Sequence, residues 1–154
     1  MTRHFCLALA GAAMLTVSTA SAQTADAAAA AAKASPELVG ALSKELNSTP
    51  AQAAGAAGAL FGIAKSRLKG DEFGQVSKAV PGMDLLLAAA PAMGAAGGKS
   101  NPLAQMAGLA AAGSAFSKLG LKPDLVAKAV PVLTSFVGKS GGADVGKLLA
   151  GALK

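Results

Sequence analysis

The chain has almost none of the side chains from which most catalytic and metal sites are built. Its 154 residues include no tryptophan, no tyrosine, one histidine and one cysteine. The histidine and the cysteine are His4 and Cys6, both next to the N-terminus. Without a histidine elsewhere, a Ser-His-Asp triad cannot form, and neither can a zinc site made of histidine and cysteine. We therefore expect no catalytic residue, no cofactor-binding residue and no metal ligand, and hence no enzyme activity.

The first 22 residues have the pattern of a secretory signal peptide. Arg3 and His4 form a short basic start, and Phe5 to Val17 is an apolar stretch too short to span a bilayer. Ala20-Ser21-Ala22 then offers the small residues that signal peptidases accept. The sequence predicts cleavage after Ala22 and export to the periplasm or the medium, and it disfavours an uncleaved anchor.

Cleavage would remove the only histidine and the only cysteine. The exported chain, 23–154, would therefore have no disulfide to stabilise it. Losing Arg3 would lower the formal net charge of +6 by one. A mild positive charge favours anionic partners such as lipid head groups or nucleic acid. The lysines are scattered with no aromatic residues between them, so we favour a role in solubility and disfavour nucleic acid.

Residues 23–34 contain an alanine run, Ala27 to Ala32, and no large apolar side chain. Alanine favours helix, but a helix needs an apolar face to be held in place. We predict a disordered or frayed tether over 23–34, followed by a single domain over 35–154.

The domain begins with two helices whose starts are marked by capping residues. Ser35 is a suitable N-cap before Pro36, and a buried stripe is predicted at helical spacing, ending before Asn47. The stripe consists of Leu38, Val39, Leu42 and Leu46. Thr49-Pro50-Ala51-Gln52 then has the form of a capping box and opens a helix that ends near Leu68.

This second helix contains Gly55, Gly58 and Gly62. Each glycine inside a helix costs about 1 kcal/mol relative to alanine, so three together predict a close approach of another backbone. Gly58 and Gly62 also form a GxxxG pair, which in membranes favours helix dimers. The apolar run Ala53 to Ala64 is too short to cross a bilayer, so we favour tight packing within the domain.

The rest of the chain is also predicted to be helical, because no alternating strand pattern occurs. Short helices are expected at about 71–79 and 82–90, a loop at 91–102, and a longer helix at about 103–119. Pro123 begins a short helix that Pro131 interrupts, 138–142 is a second loop, and 143–153 is an amphipathic helix. The fold class is therefore all-α, a compact bundle of about eight short and medium helices.

A motif recurs and indicates an internal duplication, covering about 55–90 and 108–140. Lys78-Ala79-Val80-Pro81 is repeated as Lys128-Ala129-Val130-Pro131. Several upstream residues also match, at an offset three residues larger. The pattern predicts that two sequence-related helical units pack together around one core.

Three further patterns could in principle carry chemistry. Ser66 and Lys69 have S-x-x-K spacing, but the accompanying S-D-N and K-T-G motifs are absent. Residues 98–100 and 138–140 both read Gly-Lys-Ser without the upstream glycine and strand of a phosphate loop, so we predict flexible loops. The acidic residues lie mostly at predicted helix starts, where they complement the helix dipole.

The sequence resembles a known family of exported proteins. The resemblance rests on the capping segment 49–53, on Gly58-Ala59-Leu60-Phe61, on Val80-Pro81-Gly82-Met83 and on 116–121, and it extends over 36–154. These residues are similar to those of the VcgC/VcgE-type exported proteins of Gram-negative bacteria, whose function is unknown. The resemblance implies a helical domain and export, and it transfers no activity or ligand.

Three hypotheses for the function remain open. The first is a non-enzymatic protein of the cell envelope with a structural role or a role in binding another protein or itself. The second is a protein that binds anionic lipid or the envelope surface through amphipathic helices. The third, which we disfavour, is a hydrolase that uses Ser66 and Lys69 or a pair of carboxylates.

Overall fold

The computed structural model describes residues 20–91 and 108–154, which form eight α-helices and no strand. The helices are α1 (Ala20–Ala34), α2 (Pro36–Leu46), α3 (Pro50–Arg67), α4 (Gly70–Ala79), α5 (Met83–Ala89), α6 (Gly108–Lys118), α7 (Leu125–Gly141) and α8 (Ala143–Leu153). The predicted all-α class and the number of helices are confirmed. None of the helices in these ranges is both long enough and apolar enough to cross a membrane.

Helix α3 is the centre of the domain. The predicted capping box is present, since the Gln52 backbone N–H donates to the Thr49 hydroxyl at 3.2 Å and the Thr49 N–H donates to the Gln52 side chain at 3.0 Å. From Ala53 to Phe61 every residue is buried, and α1, α2, α5, α6 and α8 all contact the helix. A helix that is apolar on all sides belongs in an interior, and its alanines and glycines let the neighbouring helices come close.

The predicted close approach of a second backbone is found at Gly58. A Cβ atom added there would overlap the carbonyl oxygen of Leu86 in α5 and lie 3.1 Å from the Ala90 nitrogen. Gly55 is also tight, because a Cβ would meet the Leu119 side chain at 2.8 Å. The corresponding prediction for Gly62 stays a prediction.

Helix α2 has the predicted bounds, and all four residues of its stripe are buried. Asn47 ends the helix in the left-handed conformation, with φ 48°. Ser35 occupies the predicted N-cap position of α2, but its side chain makes no capping hydrogen bond to an N–H of this helix. The buried Ser35 hydroxyl instead donates to the Pro81 carbonyl, which ties the start of α2 to the turn between α4 and α5.

The prediction of a tether over 23–34 differs from the structure, where α1 extends to Ala34. Ala28 and Ala31 are buried, and α1 contacts α2, α3 and α5. The Ala34 methyl group lies so close to Gly82 that a Cβ there would collide with it. Small side chains thus hold this helix by close contact. Sequence periodicity does not reveal the contact, because an alanine run has no contrast between apolar and polar positions.

The structure also corrects the predicted break and loop in the region of α7. Pro131 does not interrupt the helix, and residues 138–141 are its last turn, so only Gly142 separates α7 from α8. A proline lacks the N–H that would bond to the carbonyl four residues earlier. That carbonyl belongs to Ala127, and both Pro131 and Ala127 are exposed, so water can reach it.

Helix α8 has the predicted bounds, and its stripe faces the core. It packs closely on α7 at two glycines, since a Cβ at Gly146 would lie 3.0 Å from both the Gly138 Cα and the Thr134 carbonyl oxygen. Gly138 is therefore a contact glycine within a helix and not part of a loop.

Helix α6 covers the later part of the helix predicted at 103–119. Ala112 and Phe116, one turn apart on this helix, are both buried. Residues 103–107 and most of the loop predicted at 91–102 lie outside the described residues, as does the signal peptide up to residue 19.

The two KAVP segments have the same pattern of exposure but different backbones. In both, the lysine and the proline are exposed and the alanine is buried. Pro81 lies between α4 and α5, next to Gly82 at φ 69°, whereas Pro131 lies inside α7. The proposed duplication therefore stays a prediction.

Candidate functional site

An open groove runs between α2 and α7, two helices that contact each other along the side of the domain. Its floor is made of Ala41 from α2 and of Val132 and Phe136 from α7. Val132 and Phe136 are one helical turn apart, so their side chains lie on the same face of α7. Both are half-buried and pack against the core while their outer surfaces line the groove. The groove has a volume of about 420 Å³.

Charged side chains stand at the rim of this groove. Lys128 and Lys139 lie on α7 and Glu45 lies on α2, and all three are exposed. At a rise of 1.5 Å per residue, Lys128 and Lys139 are separated by about 16 Å along the helix axis. The α7 rim is therefore positive at both ends, and the single carboxylate belongs to the opposite helix.

The side chains that line the groove offer apolar surface, charge and one hydroxyl group. Its ionisable side chains are two lysines and one glutamate, and its hydroxyl group belongs to the exposed Ser135. In the described parts of the chain, no three histidine, cysteine or acidic residues come together as a metal site would need. Apolar contact and charge pairing are the interactions that these residues can offer.

A second groove, of about 380 Å³, lies where α3 and α4 meet α8. Its lining includes Arg67, Glu72 and Leu148. The Arg67 guanidinium donates to the Ala152 carbonyl at 3.0 Å, so this side chain caps the C-terminal end of α8. A smaller hollow of about 230 Å³ lies between Lys78 and Ser140. Neither combines an aromatic floor with a charged rim.

The residues that the sequence motifs single out take part in the structure of helices and turns. The Ser66 hydroxyl donates to the Ile63 carbonyl of its own helix at 2.7 Å. Lys69 precedes α4, and its backbone N–H donates to the Glu72 carboxylate at 3.0 Å. The Gly-Lys-Ser at 138–140 lies in the last turn of α7 and is not a loop, whereas 98–100 lies outside the described residues.

The basic residues at helix ends and the acidic residues at helix starts also have structural explanations. Lys65 stands over the Phe73 ring, with its Nζ 5.9 Å from the ring centroid. Five of the acidic residues occupy first turns, where they face the positive end of the helix dipole. These are Glu37, Asp71, Glu72, Asp84 and Asp144.

Sequence reasoning missed the α2–α7 groove, because its two sides are about 90 residues apart in the chain. A usable signal was present in α7 alone. Val132 and Phe136 form an apolar pair at helical spacing, and Lys128 and Lys139 flank the pair on the same face. The assumption that Pro131 ends a helix hid this pattern, since it divided the face into two segments.

Comparison with known proteins gives one match. No curated protein and no solved structure matches the chain. A family model matches residues 6–154, nearly the entire length, and its description is "Protein of unknown function VcgC/VcgE (DUF2780)". Its span includes the capping box of α3, the Gly58 contact with α5 and both sides of the α2–α7 groove. The chain therefore belongs to the VcgC/VcgE (DUF2780) family.

Proposed function

We propose that this protein is an exported, non-enzymatic helical domain that binds another protein, or a second copy of itself, in the cell envelope. The observation that carries the proposal is the α2–α7 groove, which combines an apolar floor with charged side chains at its rim. Interfaces between proteins have this composition, with an apolar centre and a polar edge. Phe136 is the anchor residue of this proposal, since phenylalanine is among the residues enriched in protein interfaces.

The direction in which the amphipathic helices face favours protein binding over lipid binding. A helix that lies on a membrane needs an apolar face available to the lipid. The apolar stripes of α2 and α8 are buried against the core, so they are not available. Among the described large apolar side chains, Leu85 is the exposed one, and a single leucine makes a weak membrane contact.

Export is proposed from the sequence of the first 22 residues. Cleavage after Ala22 would shorten α1 to residues 23–34 and would keep its buried residues Ala28 and Ala31. The mass of the protein recovered from a periplasmic fraction checks this point, because the expected chain begins at Gln23. Recovery of the full-length chain from the cytoplasm would contradict it.

A photo-reactive amino acid placed in the groove tests protein binding directly. Ser135 is the position of choice, since it is exposed and lines the groove. In cells that make the protein at its normal level, illumination should join the Ser135 variant to a protein and give one discrete heavier species. Mass spectrometry of that species identifies a partner or a second copy.

The matched control carries the same amino acid at Ala88, an exposed position on α5. The α5 helix contacts α1 and α3 and takes no part in the groove. Equal products from both positions, or products with lipid alone at Ser135, would overturn the proposal. The lipid product would instead support the envelope-surface hypothesis.

A further inference from the structure

We infer that the α2–α7 groove takes an acidic amphipathic helix of about three turns, with carboxylates at both ends of its apolar stripe. This inference rests on the proposed function, because it names the class of partner for the same site. It is carried by the length of the groove, the pairing of its apolar residues and the arrangement of its charges.

The residues that line the groove extend along about three turns of α7, a length that suits a short helix. The two exposed lysines of α7 are about 16 Å apart along the helix axis, which is the length of three turns of a partner helix. Val132 and Phe136 lie between them. A partner helix that places leucines at positions i, i+4 and i+7 can lay them along this floor, as amphipathic helices do in other grooves.

The charges decide which helix fits. A partner carboxylate near Lys128 and a second near Lys139 would each meet a cation at the rim, and the chain as a whole carries a formal net charge of +6. A basic helix would meet repulsion at both ends. Electrostatic complementarity of this kind suppresses wrong partners and accelerates association, more so at low salt.

The glutamate on the other side orients the partner. Glu45 is the carboxylate in the rim of the groove and it stands on α2. An acidic partner therefore turns its carboxylates toward α7 and presents neutral or basic side chains to α2. Glu45→Lys should strengthen the binding of an acidic helix severalfold, because it replaces a repulsive charge.

Three fluorescent helical peptides of 18 residues serve as probes for purified 23–154. The first has leucines at i, i+4 and i+7 with glutamates at the two ends of that stripe. The second has lysines in place of those glutamates, and the third has the acidic composition with the leucines scrambled. By fluorescence anisotropy in low salt, we expect the first peptide to bind at least 10-fold more tightly than either of the others.

Charge reversal in the protein identifies the site. The double variant Lys128→Glu with Lys139→Glu should weaken the acidic peptide at least 10-fold and should now prefer the basic peptide. The control, Lys33→Glu with Lys154→Glu, changes the net charge equally on α1 and at the end of α8 and should leave the preference intact. All these positions are exposed, so folding is preserved, which circular dichroism checks.

Equal binding of the acidic and basic peptides, or an equal loss in the two double variants, would overturn the inference. If that result came together with the specific Ser135 photoproduct, the groove would still bind a protein and only the charge assignment would fail. If the photoproduct were also absent, the proposed function would fail with it.

Discussion

At the scale of single residues, glycine sets how closely the helices approach one another. Gly58 brings the backbone of α5 against α3, and Gly146 brings α7 against α8. A glycine within a helix costs about 0.5–1 kcal/mol relative to alanine. The cost is offset where the missing Cβ lets two backbones touch, because dispersion contacts accumulate over the interface.

Gly58→Ala should lower the free energy of unfolding by about 2–3 kcal/mol, the upper part of the range of about 1–3 kcal/mol for adding a methyl or methylene group to a well-packed core. The obstacle is the Leu86 backbone, which cannot rotate away as a side chain could. Urea denaturation of 23–154 followed by circular dichroism measures the change.

Gly40→Ala is the matched control, because Gly40 is inside α2 and a Cβ there meets nothing within 4 Å. It should raise the free energy of unfolding by about 0.5–1 kcal/mol. Opposite signs for the two variants are expected. A stabilised Gly58→Ala variant would show that α3 and α5 are farther apart than described.

At the scale of helices, capped and amphipathic segments could be predicted from the sequence. The bounds of α2 and α8 were correct because an apolar stripe coincides with a proline, glycine or asparagine at the ends. The predicted bounds of α7 are wrong because Pro131 and Gly138 locally favour a break in the helix. Local helix propensity does not show that an exposed proline is tolerated within a helix. It also does not show that a glycine within a helix contacts another helix.

The packing of α1 could not be predicted for a related reason. Residues 27–32 of this helix are all alanine, so its buried and exposed faces there have the same hydrophobicity. Only the position of α5 and α3 decides that Ala31 is buried and that Ala29 is exposed. The α2–α7 groove could not be predicted for the same reason, because it forms only when two helices distant in the sequence pack together.

Ala31→Glu tests whether α1 is part of the packed domain. Lys33 of the same helix lies two residues away and faces another side. Burying the unpaired carboxylate or expelling α1 should therefore lower the free energy of unfolding by about 2 kcal/mol or more. Ala29→Glu puts the same side chain on the exposed face and should change stability by less than about 0.5 kcal/mol. Equal effects in thermal denaturation would mean that α1 does not pack.

At the scale of the whole molecule, the described apolar residues form a core, and a groove with an aromatic side chain in its lining lies at the surface of that core. The core is built around α3 and extends through all eight helices. Among the described phenylalanines, Phe61 and Phe116 are buried, Phe73 is partly exposed beneath Lys65, and Phe136 is partly exposed in the lining of the groove. The groove that contains it is where we place the binding of a partner.

The most direct test of this assignment is a titration of ¹⁵N-labelled 23–154 with the acidic helical peptide, followed by NMR. The largest shift changes should fall on the backbone amides of Ala41, Val132, Ser135 and Phe136, and those of Ala29 and Asp84 should stay in place. Changes centred instead on Arg67 and Leu148, around the groove where α3 and α4 meet α8, would contradict the assignment of the α2–α7 groove as the binding site.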